Sequence, residues 1–276
     1  MKKIPFFIIM LVHGLWGYAQ ADTRPVVGVV QFTCEQKSPY TPLVTEKVVE
    51  MLTNTKRFRV VDRTSIDKIH EELEYQKSEV FLDSKNRVEQ DIAVAAEKMI
   101  TGHIVKIPVY KINNSNGTTR GYKASVAFQM KVVDVATGLS TEATSFQGKA
   151  SKENLSPESA VTEAMHSLQS DIYEYFRLNF PVTALINRVI SEKGGVAKEV
   201  LVTAGKAQGV NVGDKFNVES IEMIDGQSYP TAIGEIVVKR IAGDSFSECE
   251  ADKKTGLAIA EKLKTGADIK CTLLVK

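Results

Sequence analysis

The chain has 276 residues, 43% of them hydrophobic and 25% charged, with a formal net charge of +1. That balance excludes the basic footprint of a nucleic-acid binder and a polybasic membrane patch. The length allows one large or two small domains.

The first residues place Lys2 and Lys3 before an apolar run from Ile4 to about Trp16, then Ala19 and Ala21 in an A-x-A arrangement. This is the order of a secretory signal peptide cleaved after residue 21. The run is roughly a dozen residues, short of the about 20 a spanning helix needs. No cysteine follows it to take a lipid, so the expectation is a soluble periplasmic chain. Removing Lys2 and Lys3 turns the net charge slightly negative.

From there PVVGVVQF, Pro25 to Phe32, reads as a buried strand. Thr41 and Pro42 read as an N-cap and first helical position, with Val44, Val48, Met51 and Leu52 on one helical face. Phe58 to Asp62 is a short strand. Ser65–Gln76 and Val88–Met99 have helical periodicity. MITGHIVKIPVYKI is a strand in which Pro108 signals an edge or a bulge. After the turn Asn113 to Thr118, the residues Tyr122, Ala124, Val126, Phe128, Met130 and Val132 alternate with polar ones, as in a half-buried strand. A further strand is expected over Ser140 to Lys149. Ser156 and Pro157 open a helix with the stripe Val161, Met165, Leu168, Ile172 and Phe176.

Beyond Pro181 short apolar runs alternate with turn signals, and Leu257 to Lys264 alone reads as a short helix. That texture predicts a small all-β barrel. The expected organisation is a signal peptide over 1–21, an α+β or α/β mixed-sheet layer domain over 22–180, and a barrel over 181–276.

The segment GKAQGVNVGDKFNV, Gly205 to Val218, has the glycine density of a phosphate loop but not its order. A P-loop places Lys and Ser or Thr after its second glycine and runs into a helix. Here Val210 follows Gly209, and DKFNVESI reads as a strand. Gly205, Gly209, Gly213 and Asp214 are therefore structural turn residues, the glycines supplying positive φ.

Other chemistry is sparse. The histidines beyond the leader, His70, His103 and His166, are far apart and lack the spacing of a metal site. No nucleophile is paired with a base. Asp62 and Arg63 read as strand-end and helix-start residues. No catalytic residue, cofactor or metal is expected. Of the three cysteines, Cys249 and Cys271 either pair in the oxidising compartment or stay reduced in the core; spacing does not decide. The loop bearing Asn113, Asn114, Asn116 and Arg120 is either a plain hairpin turn or a partner-contact loop.

Two resemblances accompany these residues. The run AGKAQGVNVGDKFNV with the later IGEIVVKRIAGDSFSEC resembles the SH3-like barrel of flagellar assembly protein T. VVGVVQF, TKRFRVVDRTSIDKI, MITGHIV and KVVDVATG, in that order, resemble the CsgG-type family of curli assembly and secretion. That resemblance implies a non-enzymatic envelope protein acting by protein–protein contact, with envelope proteins or further copies of itself as partners. It also implies outer-membrane association through such a partner. The chain lacks the pore family's lipid-bearing cysteine, and Lys111 to Tyr122 and Ser140 to Ser156 lack the apolar stripe of membrane strands. The alternative is a soluble regulator that activates a cell-wall synthase, or a flagellar or envelope assembly factor.

Overall fold

A computed structural model describes residues 24–62 and 96–274. The signal-peptide residues Ala19 and Ala21, the helix over Ser65–Gln76, and Arg63 and His70 lie outside the described residues. The predicted helix over Val88–Met99 reaches them only at its end, where Lys98 and Met99 already belong to a strand.

The strands β1 (Val26–Val29), β2 (Thr33–Cys34) and β3 (Arg59–Asp62) surround helix α1 (Thr41–Thr55) in sequence. β4 (Lys98–Lys106), β5 (Val109–Asn113), β6 (Thr119–Ala124), β7 (Ala127–Asp134) and β8 (Ser140–Gln147) follow. The main sheet has the order β3-β1-β4-β7-β8, with β2 also on β4. β1 runs parallel to β3 and β4, whereas β4, β7 and β8 are antiparallel. Parallel strands at the centre need cover on both faces, and all four residues of β1 are buried.

Helix α1 starts one residue earlier than predicted. Tyr40 is its N-cap, without a side-chain cap bond, and Thr41 is already helical. Thr45 does the joining instead: its hydroxyl accepts from the Phe32 N–H at 3.2 Å and from the Gln31 amide at 3.1 Å, and donates to the Thr41 carbonyl at 3.1 Å. One buried threonine thus ties α1 to the break between β1 and β2.

The strand expected through Pro108 is two strands. Pro108 has no N–H to donate to a ladder, and the chain leaves the main sheet there. β5 and β6 form a separate two-stranded ribbon, and the chain rejoins the sheet at β7. Of the predicted inward residues, Ala124, Val126, Phe128, Met130 and Val132 are buried and Tyr122 is half-buried, and the single strand expected there is divided between β6 and β7. The predicted long helix is also divided, into α2 (Pro157–His166) and α3 (Gln169–Asn179). Ser156 caps α2 by accepting from Ser159 N at 3.1 Å. At the break Ser167 donates to the Ala164 carbonyl at 2.7 Å and accepts from Lys149 N at 2.9 Å. The apolar stripe survives the break: Val161, Met165, Leu168, Ile172 and Phe176 pack with Phe58, Phe128 and Phe146 in one core.

The second half is a closed antiparallel barrel. β9 (Thr183–Lys193), β10 (Val196–Val202), β11 (Lys215–Ile224), β12 (Gln227–Ile241), β13 (Ser247–Ala251) and β14 (Asp268–Leu273) close in the order β10-β13-β12-β11-β14-β9. Helix α4 (Lys253–Lys264) packs on β10 and is longer than the short helix predicted. Asp252 caps it, accepting from Thr255 N at 2.7 Å. Gly256 lets it approach so closely that a Cβ there would overlap the Ala197 carbonyl. The barrel core, Val182 to Leu273, is a separate cluster from the first.

Candidate functional site

The turn from Gly205 to Asp214 lies on the barrel at its seam with the α/β domain. Gly205 does not have the positive φ predicted for it; its φ is −144°. It is required for a different reason: a Cβ would lie 2.7 Å from the carbonyls of Gly243 and Asp244 and from Phe246 N. Gly209 and Gly213 do adopt positive φ, 74° and 85°. Asp214 closes the loop by accepting from Asn211 N at 2.9 Å. The segment makes a single 3₁₀ turn and enters β11, so it presents no α-helix N-terminus to a phosphate.

Across the seam stands Arg57. Lys56 ends α1 in the left-handed conformation, φ 56°, and sends Arg57 inward. Arg57 is 8% exposed. One guanidinium nitrogen, Nη1, donates to the Gln208 carbonyl at 3.3 Å, while Nε is buried without a partner among the described residues. Burial lowers the Arg57 pKa, the neighbouring Arg177 lowers it further, and Asp214 opposes both. A crevice of about 170 Å³ opens here, lined by Thr55, Arg57, Arg177, Asn211 and Asp214. Sequence reasoning missed Arg57, because nothing local separates it from an ordinary surface arginine.

Two ribbons lie outside the main ladders. The β5–β6 hairpin carries the predicted contact loop. Asn114 donates to Thr118 Oγ1 at 3.0 Å, and Asn116 accepts from Thr118 N at 3.1 Å, so both hold the turn. Arg120 makes a bidentate pair with Glu153 at 2.7–3.0 Å, which clamps the hairpin to the segment before α2. Asn113 is exposed, and so is Tyr110, at 65%. In the barrel, β11 and β12 extend past the pairing of β14 and β13 into an arm. Its two-residue turn, Asp225 and Gly226, has positive φ at both positions, the type I′ geometry. Met223, Ile224 and Tyr229 are exposed on it.

Cys249 and Cys271 are free and fully buried. They enter the core from β13 and β14, which have two strands between them on either side. Burial pushes the Cys249 thiol up to about 11 and raises Cys271 further. The two thiols come near enough for Cys249 to add to the rise of Cys271. His103 contacts Thr33 and His166 contacts Gln169. Among the described residues no group of side chains could hold a metal, and no helix is long and apolar enough to cross a membrane.

Residues 40–141 match the family model described as peptidoglycan-synthase activator LpoB, a little over a third of the chain. No curated protein matches. Among solved structures, a PelC dodecamer from Paraburkholderia phytofirmans aligns at 11% identity and TM-score 0.32, covering 53% of this chain and 87% of that one. Lipoprotein GNA1162 from Neisseria meningitidis aligns at 9% and 0.34, covering 56% and 99%. Protein XCC0632 from Xanthomonas campestris aligns at 9% and 0.33, covering 57% and 88%. Likenesses at these scores establish neither fold nor function.

The family match overturns the CsgG-type resemblance. TKRFRVVDRTSIDKI, MITGHIV and KVVDVATG all fall inside residues 40–141, which match a synthase-activator family instead. Buried strands, an amphipathic helix and a Thr-Gly turn are what α/β packing demands, and they do not identify a function. The matched stretch ends before the barrel and lends the flagellar resemblance no support. The matched description is of a protein that activates a synthase and is not itself the enzyme, in line with the non-enzymatic expectation.

Proposed function

We propose that this chain is a non-catalytic, envelope-located activator of a peptidoglycan synthase, acting by direct contact. The match over residues 40–141 carries this reading. The β5–β6 hairpin is the proposed contact surface. It lies inside the matched stretch, stands apart from the main sheet, and is held by the Arg120–Glu153 pair. Exposed Tyr110 and Asn113 supply an amphipathic ring and an amide, groups suited to a protein interface. Self-assembly rested on the overturned resemblance and is not carried forward.

The test is glycan polymerisation by a purified peptidoglycan synthase from the same organism, with and without the exported chain. The expected outcome is a faster rate and a complex visible by surface plasmon resonance, both weakened by Tyr110→Ala. No complex and no change in rate would sink the proposal.

A further inference from the structure

The seam crevice poses a problem of charge. Arg57 is almost fully buried, Arg177 lines the same space, and both carry positive charge. Buried charges are normally paired, and a buried donor without a partner is costly. Arg57 Nε is such a donor among the described residues. The neighbouring polar side chains are already used: Thr55 Oγ1 donates to the Leu52 carbonyl at 2.6 Å, and Asn211 Nδ2 to the Gly209 carbonyl at 3.1 Å. Asp214 is the one carboxylate in the lining, and it accepts from Asn211 N. One carboxylate against two guanidiniums leaves an excess of positive charge. The space, about 170 Å³, is several times the ~30 Å³ share of one water.

We infer that this crevice binds a small oxyanion group, a phosphate or a carboxylate, between Arg57 and Arg177. Guanidinium forks match both groups in geometry. The two arginines belong to the α/β domain and Asn211 and Asp214 to the barrel, so an anion held here also fastens the two units together. The inference does not depend on the synthase reading.

The test uses the exported chain and two probes, sodium phosphate and sodium acetate, at constant ionic strength. Binding is read by isothermal titration, and for phosphate also by ³¹P line broadening. Saturable binding of either probe is expected, weakened about tenfold in Arg177→Gln. Arg177 is exposed, so this variant keeps its fold and its thermal midpoint without anion. Asp214→Asn removes the opposing charge and is expected to tighten binding. Binding of phosphate alone assigns the site to phosphate groups, and equal binding of acetate assigns it to carboxylates. Absence of saturation with both probes, or unchanged affinity in Arg177→Gln, overturns the inference.

Discussion

The two halves of the molecule dispose of their strand edges in opposite ways. The α/β sheet stays open, packs against α1, α2 and α3, and lets β5 and β6 leave it altogether. The barrel closes on itself, which abolishes edges, and fills its interior with aliphatic side chains and one aromatic ring, Phe216. The open sheet is held by an aromatic chain: Phe32–Phe128–Phe146 and Phe58–Phe176, with centroids 5.3–5.6 Å apart. An open sheet can spare strands for display. A closed barrel depends on backbone approach, and its glycines carry more of the load.

The largest expected effects therefore come from one core change in each half, and in the barrel that change is a single methyl group. Gly205→Ala places a Cβ against three backbone atoms, and a loss of about 3 kcal/mol is expected. Chemical denaturation should show the barrel transition moving while the α/β transition stays. Phe128→Ala is the matching break in the open sheet, with an expected loss of about 3–5 kcal/mol confined to the other transition. Equal shifts of both transitions in either variant would show that the halves unfold as one unit.

Smaller changes sharpen the contrast. Thr45→Val removes the hydroxyl that joins α1 to Phe32 N and should cost about 1–2 kcal/mol in the α/β transition alone. Thiol labelling at neutral pH should leave Cys249 and Cys271 unmodified until the barrel unfolds, since burial keeps both protonated. Rapid native labelling of either would contradict a closed core. The smallest effect is at Asp252, whose carboxyl is held below the usual range, first by the backbone N–H of Thr255. A depressed folded pKa contributes stability above the unfolded value near 4 and loses it as pH falls through the folded one. Asp252→Ala should lower the barrel midpoint by a few degrees at neutral pH, with the difference vanishing in strong acid.

Much of the architecture was legible because it follows from periodicity. The inward set from Ala124 to Val132 and the stripe from Val161 to Phe176 needed only alternation and the helical repeat. The breaks inside those runs were not legible. Pro108 announced an interruption but not that two strands would leave the sheet together, which depends on the pairing of β5 with β6. Helix α4 was underestimated because Gly256 weakens its propensity, whereas the close contact with Ala197 is what requires that glycine. The β5–β6 turn was legible from its turn residues, but Arg57 at the seam was not.

The amino-acid sequence by itself determined the class of each half and the buried faces of its strands and helices. These are set by neighbours a few residues away, through side-chain period and turn chemistry. The tertiary structure decided what depends on segments far apart in the chain. It placed Gln208 over Arg57, some 150 residues earlier, and set Cys249 and Cys271 on opposite walls of one barrel. It also made Gly205 a point of contact rather than a turn of unusual φ. Burial and close approach are properties of the packed chain, and no local pattern encodes them.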